Sequence, residues 1–254
     1  MSCGWWEPLY DDVLADVLLA RTDPAELAAT VAFLVELLHL EPGDRVFDQC
    51  CGIGSTSLPL ARRGLAVIAF DQAPGYVERA RRDAEAAGLE LELRVADAFE
   101  HVVRPACRAG FNWWTSFGYA DDDARNAAML RRAFESLEPG GRFALDFMNV
   151  PGVLRAFERH TVTRRDTVAG EVVLLRESAI DASAGALGKR WTWFLPDGRR
   201  VERTSRVRLY LPNTLVEMLR ACGFADVELF GSVDTEPLDL DSPRCICVAR
   251  RPLR

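Results

Sequence analysis

The stretch Arg-Val-Phe-Asp-Gln-Cys-Cys-Gly-Ile-Gly at residues 45–54 decides the fold class of this chain. It begins with an apolar strand over residues 45–48 and continues into a turn with two cysteines and two glycines. A helix through Leu58 and Ala61 follows the turn directly. A strand, a glycine turn and a helix in direct succession are typical of the ligand-binding edge of an α/β sheet.

Strands and helices alternate on both sides of this stretch. Upstream, Asp23 and Pro24 start a helix whose apolar stripe includes Leu27 and Leu38. Because strands that alternate with helices form parallel sheets covered on both faces, we predict a doubly wound, mostly parallel α/β sheet. The predicted downstream elements are a strand at 66–71, a helix at 74–88, strands at 89–95 and 110–115, a helix at 121–137 and a strand at 142–147.

The pattern changes after about residue 155. Three runs alternate like strands with no helix between them and predict an antiparallel insertion: 171–178, 190–195 and 201–210. A helix from Pro212 and a closing hairpin of two strands, 226–230 and 245–249, complete the chain. We therefore predict a single domain over residues 1–254, with an N-terminal helical cap at 1–40 and an antiparallel insertion at about 155–210.

The composition is that of a globular protein, since 49% of the 254 residues are hydrophobic and 27% are charged. The formal charge is -7 and the basic residues form no long run, so we expect no nucleic acid as the main partner. The chain has no run of the ~18 apolar residues that a membrane span needs, and its start does not resemble a signal peptide. We expect a cytoplasmic protein without a membrane partner, and the sequence does not indicate the oligomeric state.

The metal-binding residue types are few and badly spaced for a metal site. The seven cysteines and three histidines show neither Cys-x-x-Cys nor zinc-finger spacing. We therefore predict neither a structural zinc ion nor a disulfide framework.

The glycine turn and the next strand indicate an adenosine-binding site. Gly52 and Gly54 let backbone amides approach a ligand at a helix N-terminus. Asp71 follows Gly54 by 17 residues and ends the next strand, where a carboxylate can accept both ribose hydroxyls. The third glycine of a dinucleotide motif is replaced by Ser57, which disfavours an NAD-linked reductase.

Residues 48–54 resemble the first motif, Asp-x-x-Cys-Gly-x-Gly, of the class I S-adenosylmethionine (SAM) dependent methyltransferases. Cys50 stands where that family usually has glycine or another small residue. The resemblance continues through further segments of the family, 71–72, 95–99, 112–119 and 137–141. It implies a seven-stranded sheet with a reversed last strand, SAM as the cofactor and S-adenosylhomocysteine as the product.

The same resemblance implies a set of cofactor-binding residues. Asp71 would bind the ribose hydroxyls and Asp97 the adenine amine, although an aspartate at the position of Asp97 also suits a turn cap. The full set that we expect to bind SAM is Asp48, Cys50, Gly52, Gly54, Asp71, Gln72, Asp97, Ala98, Phe99, Asn112 and Trp113.

Asn112 and Tyr119 are the candidate catalytic residues. Asn112 could orient an acceptor, and Tyr119, or less favourably His160, could take a proton from it. The aromatic faces of Trp113 and Tyr119 could stabilise a sulfonium cation. We expect Phe117, in the same segment, to be a core residue.

The acceptor pocket is expected to draw on three parts of the chain. The candidates are aromatic residues near the N-terminus, an asparagine after the fifth strand and two residues of the insertion: Trp5, Trp6, Tyr10, Asn149, Arg176 and Trp191. The insertion resembles the β-stranded lid of small-molecule methyltransferases. Alternating arginines such as Arg176 also suit a solvated strand face, and that alternative stays open.

Methyl transfer from SAM to the nitrogen, oxygen or carbon of a small biosynthetic molecule is the function that the resemblance implies. A second hypothesis is a SAM cyclase, in which the α-amine of SAM displaces the thioether to give azetidine-2-carboxylate and methylthioadenosine. An NAD-linked reductase and a non-catalytic SAM-binding protein are more distant alternatives.

Overall fold

The computed structural model describes residues 15, 16, 19 and 23–253 apart from Val168. Within this part a seven-stranded sheet has the strand order β10-β11-β5-β4-β1-β2-β3. The last strand, β11, runs antiparallel to both of its neighbours, β10 and β5, which confirms the mostly parallel sheet with a reversed last strand. Its strands are β1 (Arg45–Gln49), β2 (Ala66–Asp71), β3 (Glu92–Val95), β4 (Cys107–Asn112), β5 (Leu137–Met148), β10 (Ala225–Phe230) and β11 (Arg244–Arg250).

Helices cover both faces of the sheet. They are α1 (Pro24–Leu37), α2 (Ser57–Arg62), α3 (Pro74–Ala86), α4 (Asp123–Ser136), α5 (Val150–Arg155) and α6 (Pro212–Ala221). Val46 and Phe47 on β1 are both 0% exposed, as expected for consecutive apolar residues on a strand with both faces covered. The Asp23 carboxylate accepts the Ala25 amide proton at 2.8 Å, so α1 begins with the predicted cap. No helix in the described part combines the length and apolar character that a membrane crossing requires.

The fourth strand ends earlier than predicted. It was expected at 110–115, but β4 stops at Asn112. Trp114 and Thr115 take left-handed backbone conformations, with φ of 59° and 57°. The Trp114 amide donates to the Asp146 carboxylate at 2.8 Å, so a buried acceptor on β5 turns the chain out of the sheet.

A separate four-stranded antiparallel meander forms the predicted insertion, in the order β6-β7-β8-β9. We call it the insertion sheet; it comprises β6 (His160–Thr167), β7 (Gly170–Asp181), β8 (Ala186–Phe194) and β9 (Arg200–Arg208). The strand β6 was not predicted, because its residues are mostly polar or charged on both faces. Leu187 and Val207 pack into the main core, and the Arg208 amide donates to the Gly118 carbonyl at 2.8 Å, so the insertion sheet is fastened to the main domain.

The close approach of β1 and β4 requires glycine at position 110. A Cβ atom there would lie 2.1 Å from Cζ of Phe47, a 0% exposed ring in the centre of the core. We expect Gly110→Ala to lower the free energy of unfolding by about 1–3 kcal/mol, the usual cost of overpacking a core. Urea denaturation of Gly110→Ala and of the wild type measures this difference in the free energy of unfolding.

The matched control is Gly188→Ala in β8, where the nearest atom to a new Cβ is the Ala179 carbonyl oxygen at 3.8 Å. We expect its unfolding curve to stay close to that of the wild type. Equal losses in the two variants would contradict the steric explanation.

Candidate functional site

A cavity of about 620 Å³ opens at the carboxyl ends of β1, β2 and β4. Its walls come from the turn after β1, the end of β2, the segment after β3 and the segment after β4. The face of the insertion sheet that carries Trp191 and Trp193 closes the remaining side. This is the edge at which open α/β sheets bind their ligands. The volume lies within the usual 300–1,000 Å³ range of small-molecule sites.

The turn after β1 has the backbone geometry that its glycines predict. Gly52 and Gly54 have φ of 55° and 78°, and Cys50 also lies in the left-handed region at 67°. A Cβ at Gly54 would come within 3.2 Å of the Ala80 side chain on α3. Small residues are therefore needed for the turn to pass close to α3 and to leave its amides open to the cavity.

Asp71 joins this turn to the end of β2. One carboxylate oxygen accepts the Gly52 amide at 3.0 Å and the other accepts the Ala73 amide at 2.9 Å. Burial raises the pKa of Asp71, and the backbone donors oppose that rise. The side chain lines the cavity, as does that of Gln72, so both predicted ribose-side residues reach the site.

Asp48 lines the cavity beneath the turn and is 3% exposed. Its Oδ2 accepts a hydrogen bond from Ser57 Oγ at 2.6 Å. Burial raises the pKa of Asp48 from 3.8 to about 7, while the Ser57 hydroxyl opposes the rise and the charge of Asp71 adds to it. Ser57 stands where a dinucleotide-binding motif has its third glycine. Its hydroxyl hydrogen-bonds the Asp48 carboxyl group, which is half ionised near neutral pH.

Cys50 contributes its side chain to the cavity wall. Burial raises the pKa of the Cys50 thiol well above its usual value, and the charge of Asp71 adds to the effect. The thiol is therefore protonated at neutral pH and acts as a small packing group rather than a nucleophile.

Asn112 lies below the cavity and does not line it. Its side chain is 0% exposed, and its Nδ2 donates to Gln49 Oε1 at 3.2 Å. Gln49 in turn donates to the Met129 carbonyl at 3.2 Å, so the two amides connect β4, β1 and α4. Asn112 Oδ1 has no hydrogen-bond partner in the described part of the chain. The predicted catalytic amide is therefore placed one layer beneath the site.

Trp113 and Tyr119 both line the cavity. Burial raises the pKa of the Tyr119 hydroxyl to about 12, so it is protonated at neutral pH. Phe117 is 0% exposed and packs edge-on against Phe147, with ring centroids 6.2 Å apart, as expected of a core residue.

The segment after β3 brings Ala98 and Phe99 to the cavity, while the Asp97 side chain turns back to the backbone. Asp97 Oδ1 accepts the Phe99 amide at 2.8 Å. Asp97 therefore caps the turn that positions Ala98 and Phe99. A turn cap is the alternative to adenine binding that its sequence position suggested.

The acceptor candidates separate into three groups. Trp191 lines the cavity, and the Arg176 guanidinium lies 5.2 Å from the centre of its ring. Asn149 instead donates to the Asp239 and Ser242 carbonyls at 2.9 Å each and holds the loop between β10 and β11. The exposed His160 lies 4.0 Å from Glu177, on the face of the insertion sheet opposite Trp191. Three candidates fall outside the described residues: Trp5, Trp6 and Tyr10.

Further cavity residues lie in two segments that the sequence connected with the site, 112–119 and the insertion. Trp114, Thr115 and Ser116 reach the cavity because of the left-handed turn after β4. Trp193, two residues after Trp191 on the same face of β8, lines it as well. No cluster of three or more metal-binding side chains occurs among the described residues.

Comparisons with known proteins find similarity over part of the chain. Residues 46–141 match the family model described as a methyltransferase domain. Over 116 residues the chain is 33% identical to the S-adenosyl-L-methionine-dependent Diels-Alderase iccD of Talaromyces variabilis, a match that spans 44% of this chain and 39% of that protein. Over 155 residues it is 28% identical to the carboxy-S-adenosyl-L-methionine synthase of Klebsiella pneumoniae, spanning 57% and 60% of the two chains. The chain thus covers less than two thirds of these curated relatives.

The fold comparison extends over most of the chain. The CcbJ methyltransferase from Streptomyces caelestis superposes with a TM-score of 0.77 at 21% identity and covers 90% of both chains. Residues 46–141 of this chain are thus similar to a methyltransferase domain, and the chain has the fold of the methyltransferase structure on which it superposes.

Proposed function

We propose that this protein transfers a methyl group from SAM to a diffusible small molecule. The observation that carries the proposal is the continuity of the cavity. One space of about 620 Å³ extends from Asp71 and Gln72 past the glycine turn to Trp191 and Trp193 of the insertion sheet. It offers a cofactor region on the main sheet and an acceptor region against the insertion sheet.

The residues of the first region fit the parts of SAM. Asp71 presents a carboxylate for the ribose hydroxyls, Phe99 and Ala98 offer an apolar wall for the adenine, and the backbone at Gly52 leaves room for the amino-acid part. When bound, SAM would supply a methyl group attached to a positively charged sulfonium sulfur. The thioether left behind when the methyl group is transferred is a good leaving group.

Positioning accounts for the catalysis that this site can provide. The walls at Trp113, Trp191 and Trp193 would exclude water from a bound acceptor and hold it next to the cofactor. Tyr119 is protonated at neutral pH, so it does not serve as the base that takes the acceptor's proton. An acceptor that is nucleophilic without a dedicated base, such as a neutral amine, suits this site best.

The SAM cyclase is the second candidate, and the aromatic enclosure by Trp113 and Tyr119 favours it to the same degree. Both are tested by incubating the purified protein with SAM alone and identifying the nucleosides by mass spectrometry against a no-enzyme control. We expect SAM to stay intact and S-adenosylhomocysteine to form only when an acceptor is added. Enzyme-dependent methylthioadenosine in the absence of an acceptor would overturn methyl transfer in favour of the cyclase.

The ribose role of Asp71 predicts a loss of cofactor affinity. We expect Asp71→Ala to weaken SAM binding by about 1.5–3 kcal/mol, the range for a hydrogen bond to a charged group. Isothermal titration calorimetry of SAM binding to the wild type and to Asp71→Ala measures this loss of affinity. The control is Asp44→Ala, because Asp44 also accepts a backbone amide, that of Glu41 at 2.8 Å, but sits at the opposite end of β1. Unchanged SAM affinity in a folded Asp71→Ala variant would refute the ribose role.

The half-ionised Asp48 predicts that SAM affinity depends on pH. A cationic sulfonium is attracted to the carboxylate but not to the carboxylic acid, so affinity should rise with pH through the pKa of about 7. We expect a rise of roughly tenfold between pH 6 and 8, the equivalent of one pKa unit. Calorimetric titrations across this range measure it.

Two variants separate Asp48 from other titrating groups. Asp48→Asn should abolish the pH dependence, and Ser57→Ala should move its midpoint to higher pH because the Ser57 hydroxyl stabilises the carboxylate. A wild-type affinity that does not change with pH would show that Asp48 does not interact with the ligand.

A further inference from the structure

The two faces of the insertion sheet differ in the charged residues that they carry, because its carboxylates all lie on one face. The strand register places Arg165, Arg176, Lys189 and Arg203 on the face that carries Trp191 and Trp193, which we call the inner face. The carboxylates of these strands all lie on the outer face: Asp166, Glu171, Glu177, Asp181 and Glu202. Every charged residue on the inner face of β6–β9, in the part of the chain that the structure describes, is therefore basic.

Two of these cations flank the cavity tryptophan. The Arg176 guanidinium carbon lies 5.2 Å, and the Lys189 ammonium 5.6 Å, from the Trp191 ring centre. Both side chains are half-buried, and neither forms an ion pair with any described residue. The buried Nε of Arg176 has no hydrogen-bond partner within the described residues. By contrast, the outer-face Arg190 is held by two hydrogen bonds to Glu177, at 2.6 and 2.7 Å.

A third cation approaches from the main sheet. Arg244 on β11 donates to the cavity residue Thr115 at 2.8 Å and to the buried Asp146. Burial, together with the positive charges of Arg176 and Arg244, lowers the pKa of Lys189, the only lysine of the chain, to about 8. Arg244 is itself paired with the buried carboxylate of Asp146 at 2.6 Å.

We propose that Arg176 and Lys189, at the Trp191 edge of the cavity, bind an oxyanion group, a carboxylate or a phosphate, on the acceptor molecule. The proposal rests on the proposed function, because it names the chemical class of that acceptor. A ligand oxyanion would supply the counter-charge that the inner face lacks, and the unpartnered Nε of Arg176 would gain an acceptor. Trp191 would pack against the part of the acceptor next to the anion.

The test uses small aromatic probes on the full chain with its cofactor region filled by S-adenosylhomocysteine. Phenyl phosphate and benzoate are titrated by calorimetry at low ionic strength, with neutral benzamide as the uncharged analogue. We expect at least one anion to bind roughly tenfold or more tightly than benzamide. The tighter anion assigns the group as phosphate or carboxylate. Equal binding of all three probes would overturn the proposal.

Matched variants locate the binding. We expect Arg176→Gln and Lys189→Gln each to weaken the anion at least fivefold, Lys189→Arg to retain binding, and Arg190→Gln on the outer face to have no effect. The affinity for S-adenosylhomocysteine should not change in any of them. A loss in Arg190→Gln as large as in Lys189→Gln would refute the inner-face site. Wild-type protein that binds the anion but no S-adenosylhomocysteine would refute the proposed function and leave the anion site standing.

The single lysine allows a direct spectroscopic measurement. Reductive methylation with ¹³C-formaldehyde labels Lys189, and its signal is identified by its absence in Lys189→Arg. We expect a pKa near 8 in the free protein and a clear rise when phenyl phosphate or benzoate is added, because a bound anion stabilises the ammonium form. A pKa that stays the same at saturating anion would contradict contact between Lys189 and the ligand.

Discussion

The buried carboxylate of Asp146, at the end of β5, is the interaction on which the shape of the cavity depends. It is 1% exposed and is hydrogen-bonded by Arg244 at 2.7 and 2.6 Å and by the Trp114 amide at 2.8 Å. A buried charge is stable only with such partners, and here they come from β11 and from the segment after β4. The left-handed turn at Trp114 and Thr115, costly by itself, is held in place by this carboxylate and directs the segment into the cavity.

Carboxylates line the wall of the cavity formed by β1 and β2, and cations flank the lining residue Trp191 on another side. Asp48 and Asp71 lie on the wall formed by β1 and β2, while Arg176, Lys189 and Arg244 lie around the insertion sheet and β11. A cofactor with a sulfonium cation and an acceptor with an oxyanion would each meet the opposite charge. The same division would favour one orientation of the two molecules over the reverse.

Local sequence signals predicted the main sheet well. Strands β1 and β2 and the helix α3 begin at the predicted residues. Proline, glycine turns and continuous apolar runs determine the backbone conformation of only the few residues around them, so a local pattern is enough to place these boundaries. The end of β4 was misjudged because the acceptor that stops it, Asp146, is 32 residues away. The strand β6 was missed because its pairing with β7, rather than any apolar alternation of its own, makes it a strand.

The sequence by itself determined the class of the domain and the position of its ligand edge. The strand, glycine turn and aspartate between residues 45 and 71 form one local unit whose backbone geometry depends on its own residues. Only the tertiary structure decided which polar side chains reach the cavity. It turned Asn112 and Asn149 into buried supports and brought Arg176, Lys189 and Arg244 together, because the distance between side chains of separate strands follows from sheet pairing and packing, which no local pattern encodes.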